Sequence, residues 1–242
     1  MTRFETCHAI TAKWEGGWSD HPSDPGGKTM YGITQGTYHA WLRKQKSKIR
    51  PVRQITKTQA LAIYKQNYWS PIASRLKPGV DLAAYDACVN SGLGRARKWL
   101  AASVGGKDHE TVKRICARRL AFMRSLRIWK TFGRGWSRRV ADIEARGVKM
   151  ALAKTPGAFE REAVAEKTKA RKVKQQQKTA AGGSVIGGGG ATQVDWGGGG
   201  EFIIPLLVIA GIAVAIVLFI RSRINDEREK AYEKVMNEGK AS

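Results

Sequence analysis

The chain has 242 residues and a formal net charge of +23, from 43 lysines and arginines against 20 acidic residues. That length accommodates one or two domains with a real core, and the charge implies a polyanionic partner: nucleic acid, an anionic membrane surface or a bacterial envelope. Cys7, Cys88 and Cys116 form no CxxC pair and read as buried thiols, and four scattered histidines without HExxH spacing argue against a zinc site.

In chain order, the first zone reads as helical. Thr2 and Glu5 have capping-box spacing, and Phe4, Cys7, Ile10 and Trp14 recur every three or four residues, one face of a helix over 3–14. The amino terminus lacks the long apolar run of a cleavable secretory signal. Thr56 is placed to cap KTQALAIYKQNYW, with a stripe of Leu61, Tyr64 and Tyr68. A short apolar segment over 81–89 ends at NSGLG, where Asn90 or a glycine closes a helix. Val112, Cys116, Leu120 and Met123 mark a long helix from near Glu110, with Lys113, Arg114, Arg118 and Arg119 off the stripe on a solvated face. Trp136, Val140 and Ile143 mark another helix, with Arg138 and Arg139 expected in solvent and Trp69 and Trp99 in the core. No long alternating run appears, so the fold class is mainly α, with at most one small hairpin.

Beyond residue 153 the composition changes. Residues 154–180 are polar and basic: from Arg161 to Lys178 seven basic residues stand against two acidic ones. This pattern fits a solvated helix, a nucleic-acid arm or a segment for anionic lipid head groups; without interleaved aromatics, no specific nucleic acid is expected. Residues 181–201 are a glycine-rich linker. Residues 202–220 contain no charge and, at about 1.5 Å per residue, reach roughly 28 Å, which predicts one transmembrane helix in a lipid bilayer. A charged tail, 221–242, follows. Arg221, Arg223, Arg228 and Lys230 after the span favour a cytoplasmic C-terminus with the rest facing the cell wall, in a bacterial inner or virion membrane; a tail-anchor insertion would instead leave the enzyme in the cytoplasm.

The stretch WEGGWSDHPSDPGGKTMYGIT, residues 14–34, is the one with chemical content. Five glycines and two prolines make it rigid and sharply turned. Glu15, placed against the Trp14 indole at a helix end, is expected to be partly desolvated, the condition a general acid needs. Asp20 and Asp24 follow within nine residues. Two carboxyls flanking a cleft are what glycosidic bond hydrolysis requires; equally, acids on a Gly/Pro loop cap turns.

This stretch resembles the amino-terminal signature of the glycoside hydrolase family 108 lysozymes, the bacterial and phage N-acetylmuramidases. The matching elements are Glu15-Gly16-Gly17-Trp18, Asp24-Pro25-Gly26-Gly27 and Tyr31-Gly32-Ile33-Thr34. DLAAYDACVNSGLGRARKWL, 81–100, and RRLAFMRSLRIWKTFGRGWSRRV, 118–140, look like the peptidoglycan-binding part that follows in that family. The resemblance covers roughly residues 4–152. It implies a lysozyme-like helical domain, with 1–80 as the muramidase part and 81–153 as the peptidoglycan-binding part. It implies Glu15 as catalytic acid and Asp24 as the second carboxylate, with Asp20 competing for that role. Phage-type lysozymes, more distantly similar, place an aspartate nine residues after the glutamate, as Asp24 is, and a threonine six later, where Thr29 here comes five later. Tyr31 and Asn90 join Asp20 and Thr29 as substrate-side residues; no cofactor is implied. The expectation is a membrane-anchored endolysin or virion entry enzyme acting on peptidoglycan. The alternatives are a non-catalytic wall-binding protein, a lytic transglycosylase and a basic membrane protein that binds nucleic acid.

Overall fold

The structure, a computed structural model, describes residues 1–15, 17–18, 27–186 and 203–239, with backbone alone for 180–186 and 203–216. The chain divides into two compact units, Met1–Lys154 and Thr155–Ser242.

The first unit is helical with one two-stranded hairpin. Helix α1, Arg3–Thr11, opens on the expected capping box: Glu5 N–H donates to the Thr2 side chain while Thr2 N–H donates to Glu5 Oε2 at 2.7 Å. A 3₁₀ turn over Ala12–Trp14 carries the chain to Glu15, which is extended. Strands β1, Thr29–Met30, and β2, Ile33–Thr34, pair antiparallel with Thr29 opposite Thr34. The two residues between them, Tyr31 and Gly32, have φ of 51° and 71°, as tight hairpins of this length require. Helix α2, Gln35–Lys44, is capped by Thr34, and α3, Lys57–Tyr64, by Thr56 in a second capping box with Gln59. A π turn over Lys65–Trp69 extends α3.

Helix α4, Val80–Ser91, is the centre of the unit. Every residue from Val80 to Cys88 is buried, as a helix apolar on nearly all sides must be. It packs against α1, α5 (Leu93–Ala101), α6 (Asp108–Arg124) and α7 (Trp129–Ala151). Its start lies against α7 because two glycines meet there. A Cβ on Gly79, at φ 89°, would fall 2.1 Å from the Gly147 carbonyl oxygen. Arg3 ties α1 to α4 through a 2.6 Å ion pair with Asp81, which also accepts the Gly79 and Leu82 N–H groups. The three cysteines are free and buried, as expected. Trp69 is buried against Phe4 and Tyr85, whereas Trp99, expected in the core, is half-exposed and packs on Phe122.

Two expectations about charge are overturned. Arg119 is 1% and Arg139 6% exposed. Arg119 sits one turn beyond Ile115 and Cys116, on the buried face of α6, and the half-buried Leu120 lies beside that face. Arg139 lies on the inner face of α7, next to Val140 and one turn before Ile143. Both reach anionic partners on α4, which is why burial is tolerated.

In the second unit, helices α8, Ala158–Ile186, and α9, Ile203–Glu238, pack together. Lys167 pairs with Glu233 and Lys174 with Asp226, so the helices run antiparallel. Phe159 stacks on Tyr232 at 5.7 Å, and Ala163, Ala170, Ala231 and Val235 are buried. Part of the basic excess of 161–178 is thus matched by acids of the tail. Among the described residues no helix is long and apolar enough to cross a membrane. Of the expected span, 202–220, the backbone is described from 203 onward as the start of α9; of the expected linker, 181–201, residues 181–186 are instead the last of α8, and 187–201 lie outside the described residues.

Candidate functional site

Glu15 stands where α1 ends, and its carboxylate meets α7. Arg139 Nη2 donates to Glu15 Oε1 at 2.7 Å and to Asp86 Oδ1 at 2.9 Å, while Arg139 Nε donates to Asp86 Oδ2 at 3.2 Å. Arg119 Nη1 donates to Asp86 Oδ2, and its Nη2 to Asn90 Oδ1 at 3.0 Å. Asp86 and Asn90, one turn apart on α4, therefore join Glu15 through two guanidinium groups. Two carboxylates and two cations balance.

Burial pushes the Asp86 carboxyl up, but the adjacent Arg119 and Arg139 guanidinium groups outweigh it and hold the pKa below the ordinary value. Burial likewise disfavours the charged Arg139, but Asp86 foremost, and Glu15 after it, hold its pKa above the usual arginine value. The expected neighbour, Trp14, is not what sets the charge environment of Glu15: its indole N–H donates to Asp142 at 3.3 Å. The neighbour is Arg139, 124 residues away in sequence.

The second carboxylate oxygen, Oε2, faces the hairpin. A Cβ on Gly32 would lie 3.1 Å from it and 2.4 Å from Tyr64 Oη. Tyr64 Oη donates to the Tyr31 carbonyl at 2.9 Å and so clamps the turn beside Glu15. The positive φ of Tyr31, uncommon for a non-glycine residue, is sustained by this clamp. Burial, with Glu15 next, raises the Tyr64 hydroxyl's pKa well above the ordinary tyrosine value, so the clamp stays protonated.

A cavity of about 400 Å³ opens at this place, lined by His8, Ala12, Glu15, Gly17, Tyr31, Lys57, Ala60, Leu61 and Tyr64. The size falls within the usual range for small-ligand sites. Of the residues expected from sequence, Glu15 and Tyr31 line it. Thr29 is on β1, its hydroxyl donating to the Gly27 carbonyl at 3.0 Å. Asn90 lies in the last turn of α4 and is exposed, tied to the charge cluster through Arg119. Asp20 and Asp24 lie outside the described residues.

Sequence reasoning missed Asp86, Arg119, Arg139 and His8. The signal for the arginines was their helical phase, Arg119 three residues after Cys116 and four before Met123, Arg139 four before Ile143; the signal for His8 was likewise its phase, Ala12 and Glu15 following at i+4 and i+7. Among the described residues no group of His, Cys, Asp or Glu is arranged to hold a metal ion.

The model of the family described as Glycosyl hydrolase 108 matches residues 8–92. The solved structure of Brucella abortus SagA is similar, with 33% sequence identity and a TM-score of 0.53 over 61% of this chain and 95% of that one. A search of curated proteins found no match.

Proposed function

The chain belongs to the glycosyl hydrolase 108 family, and on that premise we propose that Glu15 protonates the leaving oxygen of the β-1,4 bond between N-acetylmuramic acid and N-acetylglucosamine. It is a glycoside hydrolase of the lysozyme-like kind that acts on peptidoglycan. The observation that carries the assignment is the position of Glu15 in the cavity wall, one oxygen held by Arg139 and the other beside the hairpin. A general acid must present one fixed oxygen to the glycosidic bond. Arg139 occupies Oε1, which leaves Oε2 for the proton. The neighbouring aromatic rings of Tyr31 and Tyr64 offer apolar walls for a pyranose.

Asp24 is the second carboxylate of this reading, by its spacing from Glu15, with Asp20 the competitor. Such a group activates water or stabilises the oxocarbenium-like transition state. The test is digestion of purified peptidoglycan followed by mass spectrometry. Muramic-acid reducing ends support the muramidase assignment. Anhydro-muramic ends would make the protein a lytic transglycosylase, and glucosamine ends would refute both. Glu15→Gln should be inactive, Asp24→Asn strongly impaired, and Asp20→Asn close to wild type.

The uncharged stretch over 202–220 supports anchoring of the enzyme to a bilayer, in the setting of a phage endolysin or virion entry enzyme. Extraction of membranes with alkaline carbonate tests it: an anchored chain stays with the pellet, and a chain without residues 202–220 is released. Basic residues after the stretch place the tail in the cytoplasm and the enzyme toward the wall. A second arrangement is favoured by the α8–α9 pairs. A tail on the far side of a membrane from α8 would have to give up Lys167–Glu233 and Lys174–Asp226. Maleimide labelling of single cysteines at 169 and 234 in sealed vesicles separates the two: same-side labelling supports the paired hairpin.

A further inference from the structure

His8, on α1, lines the same cavity as Glu15, which follows beyond the 3₁₀ turn over Ala12–Trp14. Its ring is fixed from two sides. The Tyr64 ring lies at 4.7 Å, and Nδ1 is 2.8 Å from the hydroxyl of Tyr85. Tyr85 is fully buried on α4. Among the described residues its hydroxyl has one hydrogen-bond partner, His8 Nδ1.

That accounting decides the tautomer. If Nδ1 carried the proton and donated to Tyr85, the Tyr85 O–H would be a buried donor with no acceptor, an arrangement native interiors avoid. If Tyr85 donates to Nδ1, both groups are satisfied and the imidazole proton lies on Nε2. We propose that His8 is a specificity-determining residue of the saccharide site, its Nε2–H donating to the carbonyl oxygen of a substrate acetamido group.

The acceptor follows from what a neutral imidazole with Nε2–H can do. At Nε2 it is a donor only. A sugar hydroxyl both gives and takes hydrogen bonds, whereas an acetamido carbonyl only accepts, so it is the complementary group on an N-acetylated hexosamine. Burial lowers the pKa of His8 and keeps it neutral, so it does not compete with Glu15 as a proton source. Aromatic packing against Tyr64 and the Tyr85 bond remove rotamer freedom in advance, which makes the contact selective. The inference rests on the glycosidase reading of the cavity, but its first test does not.

Nitrogen-15 NMR of the full chain reads the His8 tautomer directly. The expected result is protonated Nε2 and unprotonated Nδ1, with the pattern altered in Tyr85→Phe; a protonated Nδ1 overturns the proposal whatever the protein cleaves. In Glu15→Gln, added N-acetylated glycan fragments should shift the His8 Nε2 resonance. De-N-acetylated fragments of the same length should not. Equal shifts with both, or none with either, overturn it.

The kinetic arm compares wild type with His8→Asn, whose Oδ1 replaces Nδ1 as acceptor for Tyr85 while the Nε2 donor is lost. The ratio of kcat/KM for N-acetylated over de-N-acetylated peptidoglycan should fall about tenfold, the size of one hydrogen bond. An equal loss on both substrates would show a merely structural role and refute the proposal. Failure of wild type and Glu15→Gln alike to cleave any glycan would instead sink the glycosidase reading.

Discussion

Replacing Arg139 by methionine tests the charge cluster most directly. The change keeps the aliphatic bulk of the side chain and removes the cation that joins Glu15 to Asp86. Asp86 is 0% exposed and the Arg139 side chain 7%, so water cannot replace the lost partner. Breaking a buried pair costs about 3–5 kcal/mol because the remaining charge stays buried. Arg119 still holds one oxygen of Asp86, which places the loss at the lower end, about 3 kcal/mol. For a folded unit of this size each kcal/mol is worth about 2–4 °C, so Tm should fall roughly 6–12 °C by calorimetry of the full chain. Arg139→Lys keeps the charge but cannot fork between two carboxylates, and should lie between wild type and methionine. Activity on peptidoglycan should drop in both, since Glu15 loses its fixed oxygen. A stability loss under about 1 kcal/mol, the range of exposed pairs, would refute the view that this cluster organises the unit.

The same cluster gives a pH dependence. Folding lowers the pKa of Asp86, so the folded state takes up that proton less readily than the unfolded chain. Its contribution is complete above the unfolded carboxylate value, about 3.9, and is lost as pH falls from there through the lower folded value. Urea titrations should show this acid-side loss in wild type and its absence in Asp86→Asn. Gly32→Ala should cost about 1–3 kcal/mol and most of the activity, because the new methyl meets Tyr64 Oη and Glu15 Oε2 at a positive φ; an active, stable Gly32→Ala would show that the hairpin does not position Glu15. The Cys7 thiol is pushed up to about 12 by burial, with Asp81 adding to it, and the Cys88 thiol to about 11 by burial. Neither should react with a thiol reagent at pH 8 until denaturant is added; fast labelling of the native chain would contradict that burial. Thr56→Ala, which removes a capping box, should cost about 1 kcal/mol in urea unfolding.

Much of this protein is legible in its sequence where the governing rules are local. Both capping boxes stand where Thr2 with Glu5 and Thr56 with Gln59 place them, because a cap involves residues three apart. The motif around Glu15 likewise led to the family without coordinates. What sequence reasoning misjudged was charge. Arg119, read as off the apolar stripe, and Arg139, read as solvated, both lie on buried helix faces, because a charge suggests solvent until its partner is known, and the partner comes from another helix. Asp86 is 33 residues from Arg119 and 53 from Arg139. Periodicity defines which face a side chain shares; it says nothing about which carboxylate lies opposite. Likewise His8 reads as one more residue on a helix until Tyr85, 77 residues on, takes its Nδ1 and Tyr64 fixes its plane. The sequence by itself marked several of the helices, the caps at Thr2 and Thr56, and Glu15 as the candidate acid. Tertiary structure alone decided what surrounds that acid, because electrostatic partnership depends on distance in space, which only packing sets.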